Sequence, residues 1–309
     1  MASEQAAEFL DKLKRHSERM MAVSQLPLTD QRIVAEGLQA MTSTPDGVTF
    51  RDAGVDGLSG IWVEVSKESD SDTTEAILYL HGGGFAYGTP VGYRNFAGHI
   101  ARSSGVPVLI ARYRLAPENP FPAGLNDALA AYEGLLSLGY KSTQIALVGD
   151  SAGAGLVLST LLTLRDRGSD LPAAAVLMSP WSDLQATGKS MTSNAGVDLM
   201  ASAEGMRALG SMYAPGQEGD PIASPVNGDY RGLCPLFIQV GGHETLLDDS
   251  TRVRDNAVAA GVPVQLEVFP EMQHVFQLGG GTFPEADDAI AKAGDYLRDV
   301  FAEHEGAGQ

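Results

Sequence analysis

The sequence predicts an α/β protein: a mostly parallel sheet of eight strands with helices on both faces and a helical cap. Three observations carry this expectation. From Ala76 onward, short apolar runs alternate with longer stretches of helical spacing. Ahead of them, two segments alternate with a two-residue period, and the rhythm then breaks once, between about residues 184 and 221. Strands that are apolar throughout need cover on both faces, which crossover helices supply.

The elements follow in order. Residues 4 to about 40 have helical spacing, with Phe9, Leu10, Leu13, Met20 and Val23 before a Leu26-Pro27 break and Ile33, Val34 and Leu38 after it. They lack a strand partner, so residues 1–45 are expected to form cap helices over residues 46–309. Thr49–Val55 and Gly60–Val65, with Gly57 between them, read as an antiparallel pair at a sheet edge. Lys67–Thr74 reads as a polar turn. Next come a strand at Ala76–Leu80, a helix at Tyr93–Ser103, a strand at Val106–Arg112 and a helix at Ala123–Leu138 introduced by Pro120 and Pro122. An apolar strand, Ile145–Val148, leads straight into a helix from Ser151. Strands at Ala173–Met178, Leu236–Val240 and Val264–Phe269, and helices at Asp249–Ala260 and Pro284–Phe301, complete the pattern. The interruption at 184–221 is rich in Gly, Ser, Ala and Met, with a helical piece at Glu204–Tyr213, and is expected as a cap insertion above the sheet.

Composition narrows the partners. A chain of 309 residues with 44% hydrophobic and 19% charged positions can bury a large core. Its net charge of −18 argues against nucleic acid and anionic membranes. The one cysteine, Cys234, excludes an internal disulfide and a thiolate metal cluster, and its apolar setting reads as a buried, inert thiol. Residues 1–20 are dense in charge and lack the apolar stretch of a signal peptide. No segment reaches the roughly 18 apolar residues that span a bilayer. A cytoplasmic protein is expected.

The chemistry centres on Gly149-Asp150-Ser151-Ala152-Gly153. A strand that becomes a helix within two or three residues needs glycine on both sides of the turn, and the serine is then held in a strained, exposed elbow at the helix head. A serine needs a base to take its proton, and the base needs a carboxylate to fix its tautomer. The expected chain order is serine, acid, histidine. His274 follows the Val264–Phe269 strand, where the base is expected, whereas His304 lies in a charged tail expected to be frayed and solvated. Three carboxylates follow the Leu236–Val240 strand. Glu244, first off the strand and preceded by Gly241-Gly242, is favoured over Asp248, and Asp249 comes third as a helix-start residue. A developing oxyanion needs convergent N–H groups. Ala152 supplies one, and the glycines of His81-Gly82-Gly83-Gly84-Phe85 let the backbone bring others close. No lysine follows these glycines, which disfavours a phosphate loop, and His81 reads as a brace for the turn.

Together, His81-Gly82-Gly83-Gly84-Phe85 and Gly149-Asp150-Ser151-Ala152-Gly153 resemble the hormone-sensitive-lipase-like branch of the α/β-hydrolases, the bacterial family IV esterases. Tyr113-Arg114-Leu115-Ala116-Pro117-Glu118, Phe121-Pro122-Ala123 and Ser179-Pro180-Trp181-Ser182-Asp183-Leu184 extend the likeness, which runs from about Val48 to the C-terminus. The resemblance implies Ser151 as nucleophile, His274 as general base, and Gly83, Gly84 and Ala152 as oxyanion donors. It places Glu244 at the acid position, as in the subgroup with the Gly-Asp-Ser-Ala-Gly motif, although many members have Asp-Pro-Leu-x-Asp where this chain has Glu244-Thr245-Leu246-Leu247-Asp248. It further implies a cap and frequent homodimers through the Val264–Phe269 edge. The expected activity is hydrolysis of a small-molecule carboxylic ester of short-to-medium acyl length, without cofactor or metal. An amide, carbamate or lactone substrate for the same triad is the alternative, with a non-catalytic ligand-binding relative behind it. The polar, small-residue-rich 184–221 segment argues against a lipase acting at an oil surface.

Overall fold

The computed structural model describes residues 2–66 and 74–307; the expected turn at Lys67–Thr74 lies almost wholly outside them. Among the described residues the sheet has eight strands: β1 (Val48–Asp52), β2 (Gly60–Val65), β3 (Ala76–Leu80), β4 (Val108–Ala111), β5 (Ile145–Asp150), β6 (Ala174–Met178), β7 (Leu236–Gly241) and β8 (Val264–Phe269). Their order is β1-β2-β4-β3-β5-β6-β7-β8. The β1–β2 and β2–β4 pairs are antiparallel and all later pairs parallel.

Every residue of β3 to β7 is buried, as their apolar runs require. The two-residue alternation of side chains splits each strand between two cores. Leu78, Leu80, Leu147 and Leu177 face α4 (Ala123–Ser137), α5 (Ala152–Asp166) and α8 (Leu247–Ala259). Ile77, Tyr79, Val148 and Val176 face α3 (Pro90–Ser104) and α9 (Pro284–Ala307).

Several boundaries differ from the sequence expectation, each for a local reason. The first strand ends at Asp52 rather than Val55, because the Asp52 carboxylate accepts from the Gly54 N–H at 2.8 Å and starts a 3-10 turn over Ala53–Asp56. Gly57, at φ +76°, closes that turn. The first helix of the alternation starts at Pro90, not Tyr93, because the Thr89 hydroxyl caps the Gly92 N–H. The last helix runs on to Ala307, so His304 is helical and exposed rather than in a frayed tail.

The N-terminal helices α1 (Glu4–Val23) and α2 (Leu28–Gln39) break at Pro27, as expected. Phe9 and Leu13 of α1 pack with Phe269, Phe276 and Phe283, and Ser3 is tied to Glu285. Arg32 of α2 donates to the Ala86 and Ala116 carbonyls and forks onto Glu118. The stretch between β6 and β7 carries α6 (Ser190–Ser193) and α7 (Ala203–Tyr213). Tyr213 stacks on Phe85 with ring centroids 3.7 Å apart, which seats α7 over the loop after β3. Among the described residues no helix is long and apolar enough to cross a membrane.

Candidate active site

The turn from β5 to α5 has no room for a side chain at either of its flanking glycines. A Cβ on Gly153 would lie 2.0 Å from the Leu80 carbonyl oxygen, and one on Gly149 would lie 2.6 Å from the Gly153 backbone. Between them Ser151 sits at φ +50° and ψ −121°, outside the regions L-residues prefer. Its N–H donates to the Met178 carbonyl at 2.9 Å, and its carbonyl accepts from Trp181 at 3.0 Å, so the sheet and the strand-end loop hold the strain.

His274 comes from the loop after β8 and Glu244 from the loop after β7. The structure brings both to Ser151. His274 Nε2 lies 2.8 Å from Ser151 Oγ, and His274 Nδ1 lies 2.8 Å from Glu244 Oε2. A carboxylate only accepts, so Nδ1 carries the proton in this contact and Nε2 is left to accept from the hydroxyl. Glu244 is fully buried, while Ser151 and His274 are each 8% exposed. Burial pushes the His274 pKa down, but the hydrogen bond and charge of Glu244 outweigh it, with Asp198 and Asp150 adding, and the net shift is upward.

The competing carboxylates are engaged elsewhere. Asp248 accepts from the Lys189 and Ser190 N–H groups, and Asp249 from those of Ser182 and Asp183. Burial lifts the Asp249 carboxyl to about 7. Sequence reasoning assigned no role to Ser179, which the structure places behind Glu244. Its hydroxyl donates to Glu244 Oε1 at 2.8 Å and accepts from the Val275 N–H at 3.1 Å, joining the two loops.

Gly83 and Gly84 lie beside the elbow at φ +111° and +60°. A side chain on Gly83 would strike the Tyr87 carbonyl at 2.3 Å. Among the described residues, the N–H groups of Gly83, Gly84 and Ala152 donate to no protein acceptor. Asp150 anchors this loop by accepting from the Gly82 N–H at 2.8 Å and from the Tyr79 hydroxyl. His81 is stacked between Tyr93 and Tyr113, and burial lowers its pKa to about 4, so it stays neutral and braces the turn. The buried thiol of Cys234 is pushed up to about 12 and is not a nucleophile at neutral pH. Among the described residues no cluster of three or more His, Cys, Asp or Glu is arranged to hold a metal ion.

Comparison with known proteins identifies the family. The family model described as "alpha/beta hydrolase fold" matches residues 77–278. An acetyl-hydrolase of Streptomyces hygroscopicus is 41% identical over 243 residues, covering 78% of this chain and 80% of that protein. An ethyl acetate hydrolase of Pseudomonas putida is 31% identical over 232 residues, 72% of each chain. The crystal structure of an esterase from the bacterial hormone-sensitive lipase family superimposes with a TM-score of 0.90 at 40% identity, over 97% of this chain and all of that one. The chain thus belongs to the α/β-hydrolase fold family, in its hormone-sensitive-lipase-like branch of bacterial esterases.

Proposed function

We propose that this carboxylic-ester hydrolase acts on short-to-medium acyl esters through an acyl-enzyme on Ser151. His274 Nε2 takes the hydroxyl proton as Oγ attacks the acyl carbon. The N–H groups of Gly83, Gly84 and Ala152 receive the oxyanion, and Glu244 stabilises the imidazolium. His274 then protonates the departing alcohol and, in the second half, deprotonates the water that releases the acid. The observation that carries the reading is the pair of 2.8 Å contacts linking Ser151, His274 and Glu244. The names of the acetyl-hydrolase and ethyl acetate hydrolase relatives support the short end of the acyl range.

The test is initial rate against p-nitrophenyl esters of rising acyl length. Ser151→Ala is expected to lose about 10⁴-fold or more in kcat, and Glu244→Gln about 10²- to 10⁴-fold, with folding retained. Activity surviving in Ser151→Ala would sink the scheme. The base works only when neutral, and its pKa is raised, so kcat/KM is expected to fall as pH drops through a value above 6.5.

Two further elements belong to the same proposal. The helices α1 and α2 with segment 184–221 act as the cap, supported by Leu199 and Met200 packing against the Phe9 cluster and by Leu209 against Gly84. Two copies pair through β8, an open edge on which Val268 is 42% exposed. Sedimentation velocity is expected to give twice the 32.5 kDa chain mass, and a monomer at micromolar concentration would refute the pairing.

A further inference from the structure

The loops that carry Glu244 and His274 lie past the ends of β7 and β8, where the sheet's ladder no longer fixes them. They are joined to each other through Gly242 N–H to Phe269 carbonyl at 2.8 Å and His243 N–H to Met272 carbonyl at 3.0 Å. Both are also held from outside by one short segment, residues 194–199, between α6 and α7. Asn194 Nδ2 donates to the carbonyls of Gly242 at 3.1 Å and Glu244 at 2.9 Å. Asp198 Oδ2 accepts from the Thr245 N–H at 2.6 Å and the Thr245 hydroxyl at 2.9 Å. Its other oxygen accepts from the Met200 and Ala201 N–H groups, which fixes the carboxylate within its own turn. On the second loop, Gln273 is the neighbour of His274. It accepts from the Leu199 N–H and donates to the Val197 carbonyl, both at 2.8 Å.

These contacts share a pattern. Each of the three side chains is anchored across to backbone on the other side of the joint, and among the described residues none hydrogen-bonds to Ser151 or to the side chains of His274 and Glu244. Resting on the proposed Ser151 mechanism, we infer that Asp198, with Asn194 and Gln273, is a positioning residue, and that segment 194–199 clamps the acid and base loops in register with the nucleophile. A carboxylate suits the central position because it accepts two bonds from Thr245 and two from its own turn, which a neutral amide cannot match. Small errors in the placement of a base are costly, since proton transfer needs the reacting atoms within hydrogen-bond reach.

The charged groups facing His274 are Glu244, Asp198 and Asp150, all of which favour its cation. A merely structural anchor would leave the titration of His274 alone; a clamp that also places a charge near it would not. The experiment compares kcat, KM, pH profile and melting temperature for wild type, Asp198→Asn and Glu303→Gln, with p-nitrophenyl butyrate as substrate. Glu303 is exposed near the C-terminal end of α9 and makes the same charge change on an element that belongs to neither loop nor to the cap. For Asp198→Asn we expect kcat to fall about 10-fold with KM within about twofold, and the acid limb of kcat/KM to move to lower pH. Glu303→Gln is expected to match wild type in all of these.

An unchanged kcat and profile in folded Asp198→Asn overturns the clamp. So does a loss of activity that merely tracks the folded fraction with the acid limb unmoved. Ser151→Ala, assayed alongside, separates the two levels: if it keeps its activity, the nucleophile assignment has failed rather than the clamp alone.

Discussion

Asp150 precedes the serine and faces away from it, into the wall formed by β3 and α3. It is 1% exposed, and its carboxylate accepts from the Gly82 N–H and from the hydroxyls of Tyr79 and Tyr93. Burial lifts its pKa to about 6 against these bonds, which favour the anion, so at pH 7 the carboxylate is the major form. A Cβ on Gly82 would lie 2.3 Å from Asp150 Oδ2, so the glycine loop is drawn onto the elbow as closely as backbone allows. Replacement by alanine orphans three buried donors at about 1–3 kcal/mol each. Asp150→Ala is therefore expected to lose at least ~3 kcal/mol in urea denaturation, and Asp150→Asn, which keeps one acceptor oxygen, is expected to lose less. A variant as stable as wild type would mean that water replaces the carboxylate without loss. Ser151, His274 and Glu244, the residues of the proposed triad, could be picked out of the sequence because each follows an apolar strand in a fixed chain order, and the structure places them in hydrogen-bond contact. The roles of Asp150, Ser179 and Asp198 were not, because their partners lie 68, 65 and 47 positions away and no local pattern marks them.

At the scale of elements, legibility followed the same division. The strands of the parallel sheet were readable because burial on both faces demands continuous apolar residues, and β8 was found with its observed bounds. Their ends were less readable. Asp52 folds its side chain onto the backbone and stops β1 three residues early, a competition between side chain and ladder that periodicity does not register. The stretch between β6 and β7 was recognised only as an interruption with one helix. It is organised by polar side chains that cap backbone groups: Asp183 on Gln185 and Thr187, Asp220 on Ile222 and Ala223, and Asp198 on Met200 and Ala201. Such caps depend on single residues rather than on a repeat. Its approach to the core is set by Gly155, whose Cβ would lie 2.2 Å from the Trp181 carbonyl. One glycine in α5 thus decides how near this stretch comes to the helix that follows Ser151.

For the whole molecule, the net charge of −18 is the property that composition states most directly and the fold modifies least. Excess like charge on a compact body destabilises it by self-repulsion, and salt weakens that repulsion. Salt also weakens ion pairs, so the balance between the two decides the sign. The pairs here are mostly exposed and local. Arg15 and Asp11 are 55% and 61% exposed, Arg231 and Asp229 80% and 46%, and Arg254 pairs with its neighbour Asp255. Exposed pairs of this kind contribute little even in dilute buffer, because water already screens them. Arg252 with the buried Asp183 is shielded from solvent ions and changes less. Repulsion acts among many carboxylates over the ~10 Å screening length at 0.1 M salt, so its relief is the larger effect. The melting temperature at pH 7.5 is expected to rise by roughly 2–5 °C between 20 mM and 0.5 M sodium chloride, with most of the gain below about 0.2 M, where the screening length changes fastest. Chloride is the salt to use, because sulfate stabilises any compact state by exclusion from its surface. A melting temperature that falls with chloride would show that the exposed arginine pairs contribute more than their geometry allows, and that the acidic surface is already neutralised by its own cations.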